Sequence, residues 1–397
     1  MVELTREEEE MLYGAHGEAV ARAMEVIVRV AESLGAPRLV PIKHAHVSGV
    51  SYGTIGEAGA VLLESFASSG ARFRVPTSVN PIGYDPEDPD GAGILVVSRE
   101  FIRGQQRILK ALKRMGADLL LTCTPYYTEA FEKYSLSVGD RVAWGESSAV
   151  AYANTVLGLK TNREGGPLAL MAAITGRTYL YGLQVDENRM PSHAYKIGTS
   201  YDEAVLGVLA EYLAENHESE KPPMIEVPRP PRDYEVREFA AALGAAGSIG
   251  MAVIPGVTPL PKPPEPEKFE VVPEGALKRR LAELEPDEGV DLVFVGCPHA
   301  SLEELALINA RLGKARIPVL VTLSRDVYAR AKSLGLIERL RSKGVLFLRS
   351  TCLIVSRAKS MRIATNSYKA YFYLSKRYES VGLAPLSKLL EIAGGAR

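Results

Sequence analysis

Cysteine is scarce in this chain, with three residues in 397. The odd number and the chain length argue against a disulfide framework. No CxxC pair occurs, and no Cys/His pair has zinc-finger spacing, so a structural zinc is not expected. Long apolar runs are missing too. None reaches the roughly 18 residues that a membrane helix needs. The N-terminus, MVELTREEEE, is acidic and lacks an apolar centre, so it does not read as a signal peptide. The net charge is only −1, which gives no reason to expect nucleic acid or an anionic membrane as partner. Neither GxxxxGK(S/T) nor GxGxxG is present, so no standard nucleotide fingerprint exists. The carboxylates of 84–93, YDPEDPDGAG, lack EF-hand spacing and read as an exposed, solvated loop.

What is present suits a folded enzyme: 46% hydrophobic and 24% charged residues. The length allows two or three domains and a large core. A cytoplasmic enzyme with reduced thiols is the expectation.

Each cysteine closes an apolar run. The runs are LLLTCTPY (119–126), LVFVGCPH (292–299) and VLFLRSTCL (345–353). The pattern predicts a buried strand before each cysteine, with the thiols at the carboxyl edge of parallel sheets. Two readings stand at this point. Free cysteine is a common small core residue. Alternatively, Cys123, Cys297 and Cys352 are three ligands of one iron–sulfur cluster, leaving an iron open for Lewis-acid work.

The rest of the chain alternates helices and strands. Helical periodicity is expected over 7–34, 60–66, 98–115, 147–157, 168–174, 204–215 (strongly amphipathic) and 236–243, with short strands at 38–42, 72–75, 178–185 and 250–254. Five prolines in 221–231 suggest a subdomain border inside an N-terminal α/β region, 1–257. Proline-rich 258–267, TPLPKPPEPE, reads as a stiff linker. Beyond it, 268–397 reads as a C-terminal α/β domain, with strands at 291–295, 318–323 and 345–348 separated by helices. A last aromatic helix is expected over 367–378.

Three polar stretches could carry chemistry. The first, KHAHVSGVSYGTIGEAG (43–59), is either an anion-cradling loop or a closely packed glycine turn. His44 and His46 within it are structural or substrate-contacting. The second, 140–166, contains Glu146 and ends in TNREGG. There Arg163 and Glu164 set a guanidinium beside a carboxylate, suited to an anionic substrate or to an ion pair that pins a loop. The third, ATNSYK, offers Asn366, Ser367 and Lys369 at a helix start, a second candidate anion site.

The segments HVSGVSYGTIGEAG, CTPYY, WGESSAVAYANTVLGLKTNREGG, VGCPH and STC, in this order, resemble the catalytic large subunit of the aconitase X family. The resemblance covers nearly the whole chain, and the GES…YAN…LG…TNREGG block is its most specific part. It implies an aconitase-like fold of several three-layer α/β domains around a cluster-containing cleft. It also implies that the swivelling domain is absent from this chain and sits on a small subunit, giving a heterodimer. Family members are hydro-lyases. The archaeal branch dehydrates (R)-5-phosphomevalonate to trans-anhydromevalonate 5-phosphate in the modified mevalonate (isoprenoid) pathway. The bacterial branch includes enzymes acting on cis-3-hydroxy-L-proline. Three cysteines and an Arg/Glu/Pro-rich, thermophile-like composition favour the archaeal branch. The resemblance then implies a [4Fe-4S] cluster on Cys123, Cys297 and Cys352. Gly49, Val50, Ser51, Asn80 and Pro81 would touch substrate. Arg163 would meet the carboxylate, and Lys369 or the Ser51 loop the phosphate. The general base would come from the small subunit. A hydroxyproline substrate and a metal-free α/β ligand-binding protein are the competing expectations.

Overall fold

The computed structural model describes residues 2–89, 91, 93–198, 200–260 and 265–394. Three parallel sheets organise it. The first has the order Thr77–Val79, His44–Val47, Val142–Trp144. Helices Glu18–Ser33, Tyr52–Ser68, Arg99–Met115 and Gly165–Thr175 supply apolar faces to the core around it. The second sheet has the order Met224–Glu226, His193–Lys196, Lys268–Val271, covered by helices Glu203–Asn216 and Asp233–Ala246. The third has five parallel strands in the order Val345–Arg349, Val319–Leu323, Leu292–Val295, Ile363–Thr365, Val381–Leu383. Its strands at 292–295 and 319–323 are buried throughout, as continuous apolar runs in a two-sided parallel sheet should be.

In this last sheet the chain runs one way from Leu292–Val295 and later returns to its other flank with Ile363–Thr365. That reversal is a topological switch point, and the crevice at the carboxyl ends there is where open α/β sheets hold ligands. Cys297 follows one of the two flanking strands, and Asn366–Ser367 follow the other.

Several expectations need correction. No strand precedes Cys123. Residues 118–122 run beside Thr77–Val79, with Asp118 N donating to Thr77 O (2.8 Å) and Thr122 N to Val79 O (3.2 Å). Leu121, at φ 52°, breaks the pleat between them. Residues 72–75 are not a strand either. Phe73 N and Arg74 N bond to the helix ends at Met115 O and Ala173 O. The acidic segment is not fully exposed: Asp85 is buried and accepts from Arg349 N (2.8 Å) and Nε (2.9 Å). Residues 250–254 contribute only a bridge to Met224. Helix Glu203–Asn216 is buried on most of its surface rather than on one face.

The proline-rich stretches do not divide the chain as expected. Met224–Glu226, inside the proline-rich 221–231 stretch, is a sheet strand. Of the linker, 261–264 lie outside the described residues. After it, Lys268–Val271 returns to pair with His193–Lys196, and Arg280 of helix Glu274–Glu283 bonds Glu211 through Nε and Nη2 (both 2.8 Å). The third sheet therefore begins with Leu292, not at 268.

Candidate active site

Three loops meet around one buried histidine. His299 Nδ1 lies 2.9 Å from Thr122 Oγ1, and its Nε2 lies 3.0 Å from Thr351 O. Its backbone N–H donates to Cys123 Sγ at 3.3 Å. A carbonyl can only accept, so Nε2 carries the proton and Nδ1 accepts from the threonine hydroxyl. Burial lowers the pKa of His299 to about 4, so the ring is neutral at pH 7. His299 sits two residues past Cys297, while Thr122 and Thr351 immediately precede Cys123 and Cys352. All three thiols are thereby gathered, buried, and within electrostatic reach of one another.

Burial pushes all three thiols up, and Lys369 pulls them back down. Lys369 is buried and pairs with Glu146, whose other oxygen accepts from Ser148 Oγ and from Ala149 N at 2.9 Å. Lys369 Nζ also reaches Ser147 Oγ at 3.2 Å. It is therefore an engaged internal cation rather than a free phosphate ligand. Helix Tyr368–Leu374 has only seven residues, and Ser367 caps it through Ala370 N. The anion site expected at that helix start is thus already filled by side-chain bonds. The Ser367 hydroxyl also bonds the Cys297 carbonyl.

Three buried thiols are a donor set of the kind an iron–sulfur cluster would take. Among the described residues, no three His, Cys, Asp or Glu side chains are grouped to hold one metal ion. A single ion draws all its thiolates to about 2.3 Å from one point, whereas each thiolate of a cubane takes its own iron. Asn366 is buried with neither amide atom bonded, and it lies beside Ser367 on the Cys297 side. A buried amide that can donate or accept and has no partner is a group that a bound cofactor or ligand could use.

The other site loops pack against this centre. Gln105 clamps the 49–51 turn by donating to Val50 O and accepting from Tyr52 N, both at 2.8 Å. Gly166 lets the turn approach: a Cβ there would lie 2.4 Å from Ser48 O. His46 donates from Nε2 to Asn80 Oδ1 (2.8 Å) and accepts at Nδ1 from Ser78 (2.7 Å), fixing Asn80. Past Pro81, Ile82 N donates to Ser350 O at 2.8 Å, tying this turn to the Cys352 loop. A cleft of about 970 Å³ opens here, lined by Tyr52, Gly53, Val355, Arg357, Arg377 and Tyr378.

Gly49, Val50, Ser51, Asn80 and Pro81 thus stand on turns joined to the Cys352 loop. Arg163 stands apart from Glu164. It is exposed and bonds Gly244 O (3.2 Å) and Ser248 Oγ (3.0 Å), and among the described residues no carboxylate pairs with it. Glu164 turns inward to Thr178 and Tyr179. The adjacent guanidinium and carboxylate expected from TNREGG therefore point to different partners. Sequence reasoning gave no role to His299, Gln105 or Glu146. The only signal for His299 was its place just after Cys297-Pro298.

Residues 1–187 match the family model described as Aconitase X first domain, and 290–395 match Aconitase X third domain. A phosphomevalonate dehydratase large subunit of Aeropyrum pernix is 52% identical, covering 97% of this chain and 98% of that protein. One of Thermococcus kodakarensis is 37% identical, covering 98% and 99%. A cis-3-hydroxy-L-proline dehydratase of Pseudomonas aeruginosa is 31% identical, covering 98% of this chain and 69% of that protein. The crystal structure of Thermococcus kodakaraensis aconitase X, in its holo-form, matches with a TM-score of 0.89 at 35% identity, covering 99% of this chain and all of that one. With matches to both domain models and along its whole length, the chain belongs to the aconitase X family and has its α/β fold.

Proposed function

We propose that this chain is the cluster-bearing large subunit of a hydro-lyase that converts (R)-5-phosphomevalonate to trans-anhydromevalonate 5-phosphate. The observation that carries the chemistry is the gathering of Cys123, Cys297 and Cys352 around His299. The substrate follows from relatives named for it, at 52% and 37% identity over nearly full length.

The reaction breaks a C–OH bond, with hydroxide leaving, and a neighbouring C–H bond, whose proton goes to a base, so that a C=C bond forms. A [4Fe-4S] cluster on the three thiolates would supply a Lewis-acidic iron for the leaving hydroxyl and the carboxylate. This chain's own residues bind and orient. Arg163, with no carboxylate partner among the described residues, is suited to the substrate carboxylate. The Gly49–Val50–Ser51 turn and the Asn80–Pro81 turn line the approach to Cys352. The phosphate is assigned to the Tyr52–Gly53 end of the 970 Å³ cleft, beside Ser51, where Arg357 and Arg377 also line the wall. Of the buried acids near the thiols, Glu146 pairs with Lys369, and Glu238 accepts from Arg237 through Oε1 while its Oε2 has no partner among the described residues. We assign the base to a small subunit bearing the swivelling domain, with which this chain forms a heterodimer.

The test is turnover of (R)-5-phosphomevalonate by the anaerobically reconstituted chain co-expressed with its small subunit. Dehydration that is lost in each of Cys123→Ser, Cys297→Ser and Cys352→Ser is the expected result. A brown, loaded complex that ignores this substrate but dehydrates cis-3-hydroxy-L-proline would move the assignment. Turnover by the isolated chain would return the base to this chain. A colourless protein after reconstitution would sink the cluster.

A further inference from the structure

We infer that His299 is a strut that sets the spacing of the three cysteine loops, acting as a positioning residue and not as a ligand. The inference rests on the cluster reading above. Three bonds carry it. The ring nitrogens reach the residue before Cys123 (Thr122, 2.9 Å) and the residue before Cys352 (Thr351, 3.0 Å). The backbone N–H reaches Cys123 Sγ itself (3.3 Å). The chain to which His299 belongs carries Cys297 two residues earlier. One residue therefore bonds to two distant segments, one 176–177 positions away and the other 52.

Both ring nitrogens are occupied, so the imidazole has no lone pair left for iron in this arrangement. A cluster is a rigid body, and its affinity depends on thiols held at matching separations. Among the described residues, His299 is the one residue bonded to both of the other cysteine loops. Without its ring, the Thr122 hydroxyl and the Thr351 carbonyl would lose a buried partner, and each loop could relax on its own. The competing view is a satisfied core histidine that merely adds stability. The two differ in outcome: a strut changes what the loops hold, beyond how tightly the chain is folded.

The experiment compares His299→Ala, His299→Gln and Thr122→Val with wild type, each reconstituted anaerobically in the complex. Iron per chain, the rate of chelator-driven cluster loss, the cluster's reduction potential and the thermal midpoint of the metal-free form are read. The expected result is loss at least about 10-fold faster in His299→Ala, the usual scale for removing an outer-shell partner of a metal site. His299→Gln should be intermediate, because its amide can still donate to Thr351 O. Thr122→Val should be intermediate, because of the three His299 bonds it removes only the one at Nδ1, together with the bonds of Thr122 to Thr124. A shifted potential in all three is expected. Wild-type retention and potential in the variants would overturn the strut. So would loss rates that merely follow the metal-free midpoints with no change in potential. If His299→Ala does not fold, His299→Gln and Thr122→Val decide by the same readings. A wild-type chain that takes up no iron sinks the cluster reading and the strut together. Variants that match a loaded wild type sink the strut alone.

Discussion

At the scale of single residues, a buried ion pair and a buried acid make measurable claims. Lys369 and Glu146 pair in the interior, so removing one strands the other. Lys369→Met should lower the unfolding free energy of the metal-free chain by about 3–5 kcal/mol, and adding Glu146→Gln should recover much of it. Denaturant titration of the two single variants and the double variant checks this; strictly additive losses would mean the pair is not coupled. Glu164 behaves in the opposite sense from a salt-bridged acid. Burial raises its pKa from 4.5 to about 7, with the Tyr179 and Thr178 hydroxyls opposing the rise. Below about pH 4.5 both folded and unfolded chains hold the proton, and Glu164 costs nothing. Between there and about pH 7 only the unfolded chain ionises, so stability falls as pH rises. Above that the penalty is constant, about 3 kcal/mol at most. Glu164→Gln should therefore gain on wild type from pH 5 to pH 8, as read by denaturation at both values. A difference that ignores pH would refute the raised pKa.

At the scale of elements, the site depends on turns that touch backbone to backbone. Helix Gly165–Thr175 begins against the 48–51 turn, and only a residue without a side chain fits at Gly166. Gly166→Ala must push Ser48 and the turn behind it, at a cost of about 1–3 kcal/mol. The expected result is a raised KM for substrate with unchanged iron per chain, because the cysteine loops are not touched. Unchanged KM would remove the 49–51 turn from the substrate contacts. The elements themselves were unevenly legible. The Thr5–Glu8 capping box and the strands at 292–295 and 345–349 follow directly from local pattern. The segment before Cys123 reads as a strand by composition, yet Leu121 turns left-handed there, which no apolar pattern encodes. Strand Lys268–Val271 was hidden because a proline-rich stretch before it looks like a border, whereas its partner lies some seventy residues back.

At the scale of the whole molecule, the second and third sheets are joined by buried charge. Arg237 on helix Asp233–Ala246 bonds Glu238 at 3.0 Å and, across the junction, Glu304 on helix Leu302–Arg311 at 2.6 Å. The cysteines add a second junction, since Cys123 comes from the first unit and Cys297 and Cys352 from the third. A cluster held by all three binds the folded chain and not the unfolded one, so it must stabilise by mass action. Reconstitution should raise the thermal midpoint by about 5 °C, a chelator should reverse the rise, and Cys297→Ser should show no rise. Calorimetry with and without iron measures it; an equal rise in Cys297→Ser would mean that iron binds elsewhere.

The amino-acid order alone determined the alternating α/β character, three of the five parallel strands of the C-terminal sheet, and the three thiols after apolar runs. These follow from period, turn chemistry and run length, which are local. The motif blocks from HVSG to STC also marked the family before any contact was known. Only the tertiary structure decided which polar residues stand at the centre. It turned Lys369 from a free cation into the partner of Glu146. It separated Arg163 from Glu164, which are neighbours in the chain but face different walls. It made His299, one histidine among six, the point where three distant loops meet. The physical reason is the same in each case. A hydrogen bond or ion pair depends on a separation of about 3 Å in space, and residues more than fifty positions apart carry no local trace of it.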